Sequence, residues 1–437
     1  VCSVRNLEML LYLKKNQKHA ISKRITIDQF QYFLALRSGL SRAKTPDQGN
    51  GLESIMDPLL GIILKSEIWE TDILPARIND YSPKSLDQLM FNYPLQIFGS
   101  EGKKHGFCFD TDWDLYIGNR AQTKLSGKGV LLLKIFQEYR GKLDLLFLLE
   151  KSDLLIKDLT ETLWELFWNG WISNENMTVL RKAILNGYRS HQLNVGNKRL
   201  GRRSFGRSDR DQPQEGLWFL IDFSAISERD ISVIDEFETV KDRVRQLLVR
   251  YGVIFRELLT HELPMLKWGR IFAALRIMEL SGELISGKFI EGVSGIQFCT
   301  AKVFKQIQEM NSSENIYWMN AVDPVSLCGK GIQLDQNPLP KRIDTTHLVF
   351  HGARLVMISK KNGKEIIFYE QPSSPAIIEY LTLFQVLVSR KFKPLKRIKT
   401  EIINGESAES SPYIQIMRNF GFTTEHKHLV YQKQYEY

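Results

Sequence analysis

The chain has 437 residues, 43% of them hydrophobic and 25% charged, with a formal net charge of +9. This supplies apolar material for roughly two to four packed domains of about 100–200 residues each. It excludes a membrane span, since no apolar run approaches the roughly 18 residues one needs, and the positive balance favours a polyanionic partner without identifying it.

The chain opens VCSVRNLEMLLYLKKN, too short in apolar core and too charged to be a secretory signal, and it starts at Val1; it reads as a piece of a longer or processed chain. Residues 5–40 read as helical, with Leu7, Leu10 and Leu11 on one side and a second segment from Asp28 that buries Phe30, Phe33 and Leu34. Residues 41–52 form a polar loop. Pro58 and Pro75 punctuate two further helical pieces, and Ser82-Pro83 starts a helix with Pro in its first turn. Short strands surround Gly99, Gly102 and Gly106. The four cysteines, at 2, 108, 299 and 328, form no disulfide framework, which suits a reducing cytoplasm.

Residues 126–185 carry two helices, a third predicted over Leu155–Trp168 and stopped at Gly170, then WISNENMTVL as a degenerate wing. The run 187–216 is rich in Gly, Ser, Asn and Arg. Its Arg199, Arg202, Arg203 and Arg207 read either as a solvated linker or as a phosphate-contacting arm. LWFLIDF (217–223) reads as a buried strand packed ahead of the next module. The order helix, helix, helix, hairpin then returns in 238–300. Its third helix is predicted from Lys267 to Ser281, with Ile271, Leu275 and Met278 as the apolar stripe and Gly282 as the stop. A hairpin, Leu284–Ile290 and Ile296–Phe298, follows around Gly292 and Gly295. This is the pattern of a winged helix. Lys267 and Arg270 at the helix N-terminus, Trp268 beside them and Lys288 in the wing are the candidate nucleic-acid contacts, with Trp268 equally readable as core.

After residue 315 the texture becomes β. Lys361-Asn362-Gly363 marks a hairpin turn, Pro375–Lys391 an amphipathic helix, and 411–422 a short helix ended by Gly421. The fold class is α+β: tandem winged-helix domains followed by a C-terminal β-barrel-like domain. The expected division is 1–125 (helical, winged-helix-like), 126–190 (winged helix), 191–216 (basic linker), 217–312 (winged helix) and 313–437 (barrel-like). No GxxxxGK[ST] run occurs, so ATP hydrolysis by these residues is not expected. Cys299, Cys328, His347 and His351 lack any C-x2-C knuckle, and no metal site is assigned. Gln29-Phe30-Gln31 reads as a helical surface with Phe30 buried.

Five segments resemble, in the same order, the C-terminal part of the large helicase-related (Lhr) family of superfamily 2 DNA helicases. They are WETDILPARINDYSPKSLDQL (69–89), TLWELFWNGWISNENMTVLR (162–181), LLVRYGVIFREL with ELSGELISGKFIEGVSGIQF (247–298), the Asn320–Pro324 turn, and INGESAESSPYIQIMRNFGF (403–422). The wing departs from the family's I-R-R-G-Y-F, reading Leu284-Ile285-Ser286-Gly287-Lys288-Phe289, so that of its cations Lys288 alone is left. The resemblance implies tandem winged helices and a β-barrel, a DNA partner, self-association into a homo-oligomer, and helicase motor domains of the same chain. The ATP and Mg²⁺ sites belong to those motor domains, so no cofactor is expected here, and no membrane is involved. The same arrangement occurs in AlkZ-like DNA glycosylases, which use a Gln-apolar-Gln or Gln-apolar-Asp motif. By that resemblance Gln29 and Gln31 are catalytic candidates for base excision. Three functions stay open: an accessory DNA-binding module of a repair helicase, a DNA glycosylase, and an oligomerisation scaffold without DNA contact.

Overall fold

A computed structural model describes residues 24–41, 51–117, 125–188, 216–221, 233–310 and 314–433. Arg199, Arg202, Arg203 and Arg207 and the first predicted helix lie outside them. The chain forms two compact units: Leu59–Thr71 with Tyr81–Thr239, and residues up to Pro58 with Asp72–Asp80 and Val240–Tyr437. It therefore passes from one to the other four times. Among the described residues no helix is long and apolar enough to cross a membrane.

Among the described residues all four three-stranded sheets place the last strand in sequence between the other two, and three of these belong to the winged helices. These three are Leu64–Lys65, Leu95–Ser100 and Lys104–Phe109; Lys142–Leu143, Ile172–Asn174 and Trp218–Leu220; and Val253–Ile254, Ile285–Gly287 and Gln297–Cys299. Each follows helical elements, as a winged helix requires.

In the 59–71/81–239 unit the helices Gly127–Tyr139, Leu145–Ser152 and Ile156–Trp168 belong with the second sheet, whose first strand, Lys142–Leu143, lies between the first two of them. Ser126 and Asp144 cap the first two, each accepting a backbone N–H three residues on. The predicted third helix is found within one residue. The strand at 218–220 does not pack ahead of the following module. It pairs with both 142–143 and 172–174 and closes this winged helix. Its Trp218 sits edge-on to Trp164 and Phe167 in the core. Gly99 is a forced choice, because a Cβ there would lie 2.1 Å from the Phe167 carbonyl oxygen.

The same unit holds a closed charge network built from two of the motifs that carry the resemblance. Arg181 donates through Nε to Glu70 (2.7 Å) and through Nη1 to both oxygens of Asp87, while the Tyr81 hydroxyl donates to Glu70 (2.6 Å). Burial works against the Arg181 charge, and the bonds to Asp87 and Glu70 more than offset it. His105 is fully buried and stays neutral, its pKa pushed down to about 3 by desolvation.

The other unit carries the third winged helix and the C-terminal strands. The segment predicted as a second helix is instead two short 3₁₀ turns, Glu257–Leu259 and Pro264–Leu266. Pro264 has no N–H to continue a helix, and it holds Leu263 extended at ψ 150°. The helix expected over 375–391 divides into Ile377–Tyr380 and Thr382–Ser389. Lys361, Asn362 and Gly363 all have positive φ, as the turn requires, and a Cβ on Gly363 would lie 2.4 Å from Ile398.

The C-terminal strands do not close. Six form one sheet in the order Ile316–Asn320, His347–His351, Arg354–Lys360, Glu365–Phe368, Ile402–Ile403, Glu406–Ser407. Arg397–Thr400, His428–Gln432 and Thr423–Glu425 form another. The chain changes sheets at Glu401, and the outer strands 316–320 and 406–407 do not pair with each other. Among the described residues the expected barrel is two open sheets.

Candidate nucleic-acid interface

The helix Trp268–Leu280 is the centre of the third winged helix. Ile271, Ala274, Leu275 and Met278 are fully buried, and their 3.6-residue spacing sets which residues face outward. Lys267 is the N-cap and makes no side-chain capping bond. Lys267, Arg270 and Lys288 are exposed, and none has an acidic partner among the described residues. Two of these cations stand at the positive end of a helix, where backbone N–H groups already favour an anion.

Trp268 is half-buried. Its ring packs 5.2 Å from Phe272 and 6.1 Å from Phe298, so most of its work is in the core rather than free for base stacking. Farther along the helix the outward face changes character. Arg276 is taken up by Glu279, which also accepts from the wing hydroxyl of Ser286. Phe272, Ile277 and Leu280 are exposed, Leu280 to 67%. The basic surface is thus the first turn and the wing, not the whole helix.

The wing is held by a residue not singled out from sequence. Gln297 is fully buried; its Oε1 accepts from Phe289 N (2.8 Å) and Ile290 N (2.9 Å), and its Nε2 donates to Ile290 O (3.1 Å). These bonds fix the backbone on the C-terminal side of Lys288. A Gln in a strand gives no hint in the sequence of its backbone partners.

Gln29 and Gln31 sit on the helix Ile27–Arg37, and both amides are engaged. Gln29 closes a capping box: its N–H donates to Thr26 Oγ1 (3.2 Å), and its Oε1 accepts from Thr26 N (3.0 Å). Gln31 is fully buried, donating to Val325 O (3.1 Å) and accepting from Leu327 N (3.2 Å). Phe30 between them is core, as expected.

Gln31 is one of several ties on the turn after Asn320. Arg77 donates to both oxygens of Asp323, at 2.7 and 2.9 Å, with both side chains wholly buried. Arg342 donates to the carbonyls of Ala321, Val322 and Asp323. Two motifs quoted for the resemblance therefore meet in one bidentate ion pair. Beside this turn Lys330 is almost wholly buried. Its Nζ donates to Leu258 O (2.8 Å) and lies 5.1 Å from the Tyr251 ring centroid. Desolvation, reinforced by the positive charge of Arg342, pushes its pKa down to about 7. Glu262 accepts from Arg250 and from the Tyr251 hydroxyl; burial opposes its charge, yet Arg250 keeps it below the usual carboxylate range.

His347 and His351 have separate partners. His347 Nε2 lies 2.6 Å from Asp72, which also accepts from Asn320. His351 bonds Glu314 and the Tyr380 hydroxyl. The thiols of Cys299 and Cys328 are buried and raised, Cys299 to about 12. Among the described residues no group of three or more His, Cys, Asp or Glu is placed to hold a metal ion.

Helical segments followed by a three-stranded sheet with a hairpin wing define the winged-helix class. Residues 25–106 and 234–319 match the models described as large helicase-related protein, winged-helix domain. Over 414 residues the chain is 23% identical to the Lhr helicase/uracil glycosylase of Escherichia coli (strain K12), covering 86% of this chain and 26% of that protein. Over 294 residues it is 24% identical to the Lhr helicase/probable uracil glycosylase of Mycolicibacterium smegmatis, covering 63% and 18%. The match thus spans about a quarter or less of these curated relatives' length. Among solved structures it is similar to the Streptomyces sahachiroi DNA glycosylase AlkZ, with a TM-score of 0.49 and 11% identity, covering 87% of this chain and all of that one.

Proposed function

We propose that this chain is the DNA-binding accessory region of an Lhr-type repair helicase, and that it engages the phosphate backbone through the first turn of Trp268–Leu280 and the adjoining wing. The supporting observation is that Lys267, Arg270 and Lys288 are exposed on one winged helix without acidic partners among the described residues. In this reading the ATP- and Mg²⁺-dependent motor, and assembly into a homo-oligomer, belong to the complete protein. Fluorescence anisotropy with a labelled DNA duplex is the test. Each phosphate contact contributes about 0.9 to the slope of log K against log salt, so the triple variant Lys267→Ala, Arg270→Ala, Lys288→Ala loses roughly 2–3 units of slope. Wild-type protein that fails to bind DNA even at low salt sinks the reading.

A second reading is removal of uracil from DNA, favoured because one curated relative is described as a uracil glycosylase and the other as a probable one. Such chemistry takes a flipped or single-stranded nucleotide and places water at the sugar carbon. Incubation with a uracil-containing strand followed by alkali is expected to cut at the uracil. Gln29→Ala and Gln31→Ala then locate the site, with thermal melting of each variant as the control, since both side chains also hold backbone. An intact strand after incubation with wild-type protein removes this reading.

A further inference from the structure

The C-terminal region carries its own concentration of positive charge. Between 391 and 399 every ionisable residue is basic: Lys391, Lys393, Lys396, Arg397 and Lys399. The strand Arg397–Thr400 alternates, turning Ile398 and Thr400 inward and Arg397 and Lys399 outward. It is an edge strand, paired on one side with His428–Gln432, which pairs in turn with Thr423–Glu425. The tight connection between those last two strands puts Lys427 at the end of the same sheet.

Neighbouring acids do not balance this charge. Glu401 serves two lysines, Lys364 at 3.1 Å and Lys399 at 3.5 Å, and Glu425 serves Arg397 at 3.6 Å. Lys391, Lys396 and Lys427 are exposed and have no acidic partner among the described residues. The backbone also accepts strain here. Lys393 and His426 hold φ of 44° and 53°, a left-handed conformation that side chains with a Cβ disfavour, and Arg390 Nε donates to Lys393 O (2.9 Å) to keep the loop in place.

We propose that this three-stranded sheet and the basic loop leading into it form a second nucleic-acid contact surface, one that grips the phosphate backbone without reading bases. Residues two apart on a strand are separated by about 6.6–6.8 Å and face the same side, so Arg397 and Lys399 present two cations in a row along the strand. Phosphates carry no sequence information, so the proposed contact is expected to be sequence-independent.

The inference rests on the reading that the chain binds DNA, and the test separates the two. The full chain is titrated against labelled single-stranded and duplex DNA over a range of salt. The variant Lys396→Ala, Arg397→Ala, Lys399→Ala is expected to bind at least about tenfold more weakly at low salt and to lose about 2–3 units of salt slope, whatever the DNA sequence. The charge-keeping variant Lys396→Arg, Lys399→Arg behaves as wild type. Should melting show that the triple variant is unfolded, Lys396→Ala with Lys427→Ala takes its place, with a loss of roughly 1–2 units. Unchanged binding by these variants, alongside loss in the Lys267, Arg270, Lys288 variant, overturns the second surface and leaves the proposed function standing. The opposite pattern moves DNA contact off the winged helix and onto this sheet. No binding by wild-type protein removes both.

Discussion

Arg77→Ala is expected to destabilise the 72–80/240–437 unit by about 3–5 kcal/mol, because it strands the Asp323 carboxylate in a site that water does not reach. The loss goes beyond the ion pair. Arg77 also donates to the carbonyls of Ser38 (3.0 Å) and Ile73 (2.9 Å), and Asp323 accepts from Val325 N (3.1 Å). Removing both charges costs less than removing one. The double variant Arg77→Met, Asp323→Leu is expected to recover much of the stability, since a buried pair is dear to desolvate and apolar groups of similar volume fill its space. Urea unfolding followed through Trp318, buried in the same unit, measures this. A cost under about 1 kcal/mol for Arg77→Ala would mean that the site is wetter than the structure has it.

The second large effect is a pH dependence set by Lys330. Its folded pKa, about 7, lies far below the ordinary lysine value, so the unfolded chain binds a proton there that the folded chain releases. Stability therefore rises with pH once pH passes 7, and the penalty is fully present below it. The slope approaches about 1.4 kcal/mol per pH unit, giving a gain of roughly 1 kcal/mol between pH 7 and 8. Phenol ionisation is negligible in that window, but the unfolded chain's thiols, with an ordinary value of about 8.5, begin to ionise towards pH 8 and offset part of the gain. Lys330→Met is expected to flatten the profile and to raise stability at pH 7. A wild-type profile already flat from 7 to 8 would show that Lys330 keeps its charge partnered inside, with Glu262 the carboxylate acting most strongly on it.

Local patterns were legible from the residues, and long-range partners were not. The stripe Ile271, Leu275 and Met278 with Gly282 located the third helix of the last winged helix to within a residue, because helix period and stop are both local. Leu155–Trp168 was found for the same reason. The strand at 218–220 is legible as a strand, but the sequence reading packs it ahead of the following module, because its partners at 142–143 and 172–174 lie far back in the chain. The barrel failed for a similar reason. Alternation identifies strands, whereas closure depends on whether the outer strands find each other. Among the candidate contacts, Lys267, Arg270 and Lys288 are as exposed as their residue types suggest. Trp268 is pulled into an aromatic cluster that periodicity alone did not reveal. The charged residues of the Lhr-like motifs, Glu70, Arg77, Asp87, Arg181 and Asp323, are spent on holding the fold together. These five positions therefore mark architecture, whereas Lys288, inside the wing segment of the same motifs, stays exposed.

The four crossings of the chain between its two units bear on how the protein is made. On the ribosome, residues 24–58 and 72–80 emerge early, but most of their unit, 240–437, is synthesised last. The 59–71/81–239 unit can complete its winged helix while these early segments wait. Slow translation past residue 239 would lengthen that wait and expose Phe30, Phe33 and Leu34, which end up buried, to chaperones or to premature association.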